Sequence, residues 1–153
     1  MEMSSLEVSV AYEIAKWRRM SAWKDGYTDG GGMNYDFNSD VLGALGEMAV
    51  GKELNIYYEP TNRTFKDADL GDMEIKTVRY SSYGHAHECF PVELSTDDSR
   101  RMVCVVGSVY TREFEVKGWI SAKEAKTIEP KKVLYRPAHW FSFSKLKKMS
   151  EVS

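Results

Sequence analysis

The sequence predicts a mixed α/β domain, a β-sheet flanked by helices, and three observations predict it. Two early segments, LEVSVAYEIAKWRRM (6–20) and VLGALGEMAVGKEL (41–54), space their apolar residues as helices do. Four later runs, MEIKTVRY, CFPVEL, RMVCVVGSVY and EFEVKGWI, are short, β-branched and aromatic, and are bounded by turn residues. The order of helices, then strands, then a short helix requires a layered architecture in which the helices cover the sheet. At 153 residues the chain is expected to form one domain with a continuous core. It divides into an N-terminal helix with a Gly-rich connection (1–40), a helix and hairpin (41–80), and the remaining strands with a basic tail (81–153).

In the first helix Leu6, Val10, Ile14 and Trp17 fall roughly on one face. The following GYTDGGGMNYDFNSD, with Gly30, Gly31 and Gly32, reads as a flexible connection, and Asn38, Ser39 and Asp40 offer caps for the second helix. The glycine run lacks the GK[ST] ending of a phosphate-cradling loop. NIYYE after the second helix is expected to be a short strand, and PTN a turn. MEIKTVRY is the next strand and SSYGHAHE a polar loop. CFPVEL is an edge strand because Pro91 has no N–H to give to a ladder. TDDSR turns into RMVCVVGSVY, whose unbroken apolar run is that of a central strand. EFEVKGWI follows, SAKEAK opens a short helix, and the tail ends in FSKLKKM.

Composition narrows the function classes. The chain is 42% apolar and 12% aromatic, the balance of a folded globular protein. No run approaches the roughly 18 apolar residues of a membrane span, so no membrane partner is expected. MEMSSLEVSV lacks the basic-then-apolar order of a signal peptide. Cys89 and Cys104 are too few for a disulfide scaffold and lack metal-site spacing, so a reducing, cytoplasmic location is expected. The net charge of -2 gives no global support to nucleic-acid binding. Residues 112–153, however, carry ten Lys/Arg against five Asp/Glu, which leaves residues 1–111 at -7. That basic end reads either as a phosphate-binding face or as a solvated C-terminal helix.

The segment KDADLGDMEIKT (66–77) carries the densest chemistry. Gly71-Asp72 suits a two-residue hairpin turn. That turn sets Leu70 against Met73, Asp69 against Glu74, and Ala68 against Ile75. Alternation then projects Asp67, Asp69, Glu74 and Lys76 to one side and the apolar residues to the other. Asp69 and Glu74 would stand with Cβ atoms about 4.5–5.5 Å apart, a repulsion that a positive ion relieves. Mg²⁺ meets this need with one or two carboxylates plus water and substrate phosphate, and Mn²⁺ is an expected substitute. Lys76 would sit beside that ion, able to orient an attacking water or steady a phosphoryl transition state. An E-x-K pair alone commonly marks a solvated strand face with a weak salt bridge; the opposed aspartate gives it chemical meaning.

The second helix adds a separate clue. Gly43, Gly46 and Gly51 each cost about 0.5–1 kcal/mol against alanine inside a helix. Gly43 and Gly51 lie four residues before and after Glu47, on a face of small residues where another backbone could approach closely. Glu47 would then be directed at a neighbouring strand; the alternative is tight packing with Glu47 in solvent.

These residues together resemble the PD-(D/E)XK nuclease superfamily, the restriction-endonuclease-like fold. The resemblance runs over Val41–Arg79 through GALGEMAVGKEL, then ADL, then MEIKT. Small phage-encoded members have a comparable length and layout. The resemblance implies Asp69 and Glu74 as metal ligands, Lys76 as the catalytic lysine, and Glu47 as a further ligand or a partner behind the ligands. Asp67 and Asp72 are the alternatives for the aspartate position. It implies a Mg²⁺-dependent endonuclease acting on DNA and leaving a 5′-phosphate. A homodimer would suit so small a chain gripping two strands. Arg79, His85, His87, Arg100 and Arg101 are the candidate nucleic-acid contacts. His85 and His87 alone make a poor zinc site. Tyr110, Trp119, Trp140, Phe141 and Phe143 read as core residues rather than stacking platforms. Two rival readings stand beside this one: a non-catalytic nucleic-acid-binding or protein-interaction module on the same fold, and an unrelated α/β domain whose Glu47 points away from Glu74.

Overall fold

The structure is a computed structural model that describes residues 1–24, 37–60, 68–79, 89–132 and 137–152. Within those residues the architecture is mixed α/β. Helix α1 (Ser5–Lys24) and helix α2 (Phe37–Leu54) pack on one another, followed by strands β1 (Met73–Arg79), β2 (Cys89–Glu93), β3 (Arg101–Gly107) and β4 (Phe114–Ser121). A short helix α3 (Ala122–Ala125), strands β5 (Lys131–Lys132) and β6 (Pro137–Ser142), and two single-turn 3₁₀ helices complete the chain. The strands make two three-stranded sheets, β1-β3-β4 and β2-β6-β5. In the first, β1 runs parallel to β3, and β3 antiparallel to β4. Among the described residues no helix is long and apolar enough to cross a membrane.

The first sheet is covered on both faces, which is why β3 is nearly all apolar. Val103 and Val105 face one core with Met73, Ile75 and the buried residues of α1 and α2. Met102, Cys104 and Val106 face the other with Val92 and Phe141 from the second sheet and Ala122 and Ala125 from α3. Helix α2 is the central helix: Val41, Leu42, Ala44 and Leu45 through Gly51 are all buried, as expected of a helix apolar on every side.

Local chemistry sets the ends. Ser4 and Glu7 form a reciprocal capping box before α1, with each backbone N–H given to the other's side chain. Ser121 caps α3 from one side, its Oγ accepting from the Glu124 N–H at 3.1 Å. Helix α2 ends on Asn55 at φ 54°, and Ile56 N–H reaches the Gly51 carbonyl at 2.8 Å, a left-handed cap. NIYYE is therefore a cap and an unpaired segment rather than the expected strand. The edge position of Pro91 and the central position of β3 are as expected. Strand β6 lies where only core aromatics were anticipated: Phe141 is buried, whereas Tyr110 is exposed. Instead of a C-terminal helix the basic tail makes 3₁₀ turns, held to β4 by a Trp119–Lys147 backbone bridge. The Gly30–Gly32 connection lies outside the described residues.

Two expectations about helix faces change. Of Leu6, Val10, Ile14 and Trp17, only Ile14 is buried; the inward side of α1 carries Ala11, Ile14 and Ala15. Small alanines bring α1 close to α2, and ion pairs hold that side inward. On α2, Gly46 rather than Gly43 or Gly51 meets the catalytic-candidate strand. A Cβ at Gly46 would lie 1.8 Å from Thr77 Oγ1, whereas Gly43 has nothing within 4 Å.

Gly46→Ala is therefore expected to destabilise the fold by about 1–3 kcal/mol through overpacking against β1. Gly43→Ala should gain up to about 1 kcal/mol from helix propensity. Urea denaturation of both variants, with Thr77→Ala added to Gly46→Ala as the relieving change, tests the contact.

Candidate active site

The site is built where α2, the Gly71 turn and the edge of β1 away from β3 meet. Gly71 has φ +63°, and the Leu70 carbonyl accepts from Met73 N–H at 2.9 Å, so the two-residue turn forms with glycine at its first central position. The Leu70–Met73 pairing also forms. Beyond it the hairpin stops, since Ala68 and Asp69 are not in a strand. β1 pairs with β3 along its other edge. An antiparallel arm would have offered the Ala68 carbonyl to Ile75 N–H; that N–H donates to Asp69 Oδ2 at 2.7 Å. The carboxylate thus closes one position on a strand edge that has no ladder partner among the described residues.

Asp69 lies within electrostatic reach of all three other candidates. Its pKa is pushed up to about 6, by burial first and then by the charges of Glu47 and Glu74, against the opposing Ile75 N–H and Lys76 ammonium. On β1, Lys76 Nζ stands 3.4 Å from Glu74 Oε1, and Arg100 stands 3.8 Å from Glu74 Oε2. Both contacts are longer than a well-formed charged hydrogen bond, so Glu74 is loosely held.

Glu47 is held tightly. It is 6% exposed. Arg18 from α1 gives its two terminal nitrogens to the two carboxylate oxygens, each at 3.0 Å, and Tyr58 donates its hydroxyl at 2.7 Å. Burial and the neighbouring Glu47 charge push the Tyr58 hydroxyl well above its ordinary range, so it stays a donor. Glu47 Oε1 and Oε2 both already accept hydrogen bonds, and among the described residues no three acids or histidines are grouped closely enough to form a metal cage.

The remaining sequence candidates separate. Arg79 falls on the Met73/Ile75 side of β1, donating to Ser39 Oγ at 2.7 Å at the start of α2. Arg101 is bound to Asp72, its Nε 2.9 and 3.0 Å from the two oxygens, which also ties Asp72 to the turn and away from Glu74. His85, His87 and Asp67 lie outside the described residues. Lys147 of the basic tail packs over the Trp119 ring at 4.7 Å and pairs with Glu124 at 2.6 Å. Arg18 and Tyr58 are the residues that sequence reasoning missed. WRR offers two arginines with no local sign of which turns inward, and Tyr58 sits in a segment read as strand.

No protein-family model matches this chain, and no curated protein or solved structure is significantly similar to it.

Two outcomes follow from the electrostatics. Arg18→Met would leave a buried carboxylate unpaired and should cost about 3–5 kcal/mol, most of it recovered in Arg18→Met/Glu47→Gln; denaturant titration of the single and double variants reads this directly. For Asp69 the folded pKa of about 6 lies above the unfolded 3.8, so the folded state binds the proton more tightly. Raising pH through that window therefore costs stability, at most about 3 kcal/mol in EDTA. Asp69→Asn keeps an acceptor for Ile75 N–H and removes the charge. Its stability relative to wild type should climb between these two pH values and level off above the upper one.

Proposed function

We propose that this chain is a small metal-dependent nuclease of the PD-(D/E)XK, restriction-endonuclease-like class that hydrolyses phosphodiester bonds in DNA. The observation that carries the reading is the meeting of Asp69, Glu74 and Lys76 at the edge of β1. There Asp69 is held up to about 6 by burial and by two flanking carboxylates. Arg18 pairs with Glu47, and Lys76 and Arg100 approach Glu74 at 3.4 and 3.8 Å. The partly buried oxygen donors of Asp69 and Glu74 suit a hard divalent cation. Asp69 and Glu74 are the ligands, and the other positions are left to water and phosphate.

Bound there, Mg²⁺ or Mn²⁺ would lower the pKa of a coordinated water and neutralise charge on the phosphate. The chain's own residues orient the reaction. Lys76 faces the same side as Glu74 and can hold the attacking water or the phosphoryl oxygen. Arg100, beside Glu74, is a second cation for an adjacent phosphate. Arg101 and Arg79 are committed to Asp72 and Ser39 and take a structural part. Glu47 acts through the local field and through positioning, since its oxygens are engaged by Arg18 and Tyr58. The same engagement favours a second reading, a non-catalytic nucleic-acid-binding or interaction module on this fold, as does the net charge of -2.

A cleavage assay on duplex, nicked, branched and single-stranded DNA and on RNA, with Mg²⁺, Mn²⁺ or EDTA, separates the two. The nuclease reading expects metal-dependent cleavage that falls by about 100-fold or more in both Lys76→Ala and Glu74→Ala. Cleavage surviving both substitutions would discard this site. Binding of DNA with no cleavage and no measurable uptake of Mn²⁺ would favour the module.

A further inference from the structure

Helix α1 turns an apolar stripe to solvent. Leu6, Val10, Glu13, Trp17 and Met20 follow one another at intervals of four and three residues, the spacing of a seam between paired helices. All five are exposed, Leu6 at 73%, Trp17 at 46% and Met20 at 59%. Beside the stripe two adjoining hollows share Val10, Ile14 and Pro60. One of them, about 470 Å³, extends to Ile56 and to Tyr57, which is 82% exposed. Scattered apolar residues on a surface are ordinary, but a contiguous stripe bordered by a groove marks an interaction site.

We infer that this face binds a second copy of the chain, with the two α1 helices side by side and antiparallel. The argument is one of charge. Glu13 sits in the middle of the stripe and Lys16 borders it one turn further on; both are exposed, and neither has an ion-pair partner among the described residues. A parallel pair would set Glu13 against Glu13, which is repulsive inside an apolar seam. A two-fold axis between Glu13 and Lys16 sets each Glu13 beside the second copy's Lys16, giving two equivalent ion pairs. The same axis brings Leu6 near the second copy's Trp23, also exposed. Such an interface is self-complementary and closed, as two-fold contacts are. The helix is 20 residues long, or about 30 Å, and the flanking groove around Pro60 widens the contact beyond a single helix. This inference stands apart from the nuclease reading and survives or fails without it.

Light scattering after size exclusion, on the full chain at about 50 μM, tests it. The expected mass is twice the 17.5 kDa of one chain. Leu6→Glu and Trp17→Glu should be monomeric with unchanged circular dichroism. Leu6 is so exposed that its variant has no reason to misfold. Glu13→Lys and Lys16→Glu should each weaken self-association by about tenfold, and the double exchange should restore it. A monomeric wild type at that concentration overturns the inference, including the case where the stripe instead binds lipid vesicles. A dimer that persists unweakened in Leu6→Glu and Trp17→Glu also overturns it.

Discussion

The ion pair between Arg18 and Glu47 sits at the junction of three segments, and the inward face of α1 and the course of the chain after α2 follow from it. A carboxylate as buried as Glu47 is tolerated only when fully paired, and its partners come from α1 and from the segment after α2. Satisfying it rotates α1 so that Arg18 and the small Ala11 and Ala15 face inward, with Arg19 reaching Asp40 nearby. Leu6, Val10 and Trp17 are left outside. It also claims Tyr58, so the chain leaving α2 is committed to a side-chain contact instead of a ladder. Part of the core's apolar capacity is given up for one positioned charge.

That charge has consequences at the neighbouring strand. Asp69 must satisfy Ile75 N–H on the edge of β1 away from β3 while burial and the fields of Glu47 and Glu74 disfavour its ionisation. Two roles compete in one carboxylate. As an edge cap it stabilises β1, and as an ion in a partly buried place it destabilises the fold. Sites that retain such a conflict are often sites of function. The close approach of α2 to β1 at Gly46 and Thr77 keeps Glu47 near enough to take part.

The legible parts of the fold were those governed by local rules. Alternation along MEIKTVR put Glu74 and Lys76 on one face and Arg79 on the Met73/Ile75 side, and the strand obeys it. Gly71 marked a turn that needs positive φ, and Pro91 marked an edge. Misreadings came where a side chain's partner is distant in sequence. Arg101 looked like a phosphate contact because Asp72, its partner, is 29 positions away. The proposed Asp69–Glu74 register extended a hairpin that ends after one pair, because the Asp69 carboxylate rather than the Ala68 carbonyl takes the Ile75 N–H.

By itself, then, the sequence determined the two long helices, strands β1 to β4 and their order, the Gly71 turn, and the shared face of Glu74 and Lys76. These are set by steric limits and hydrogen bonds within a few residues of one another. Only the tertiary structure decided which face of α1 turns inward, which arginine neutralises Glu47, and which partner β1 chooses. Those outcomes depend on desolvation and on competition between surfaces far apart along the chain, and neither quantity is written in local periodicity.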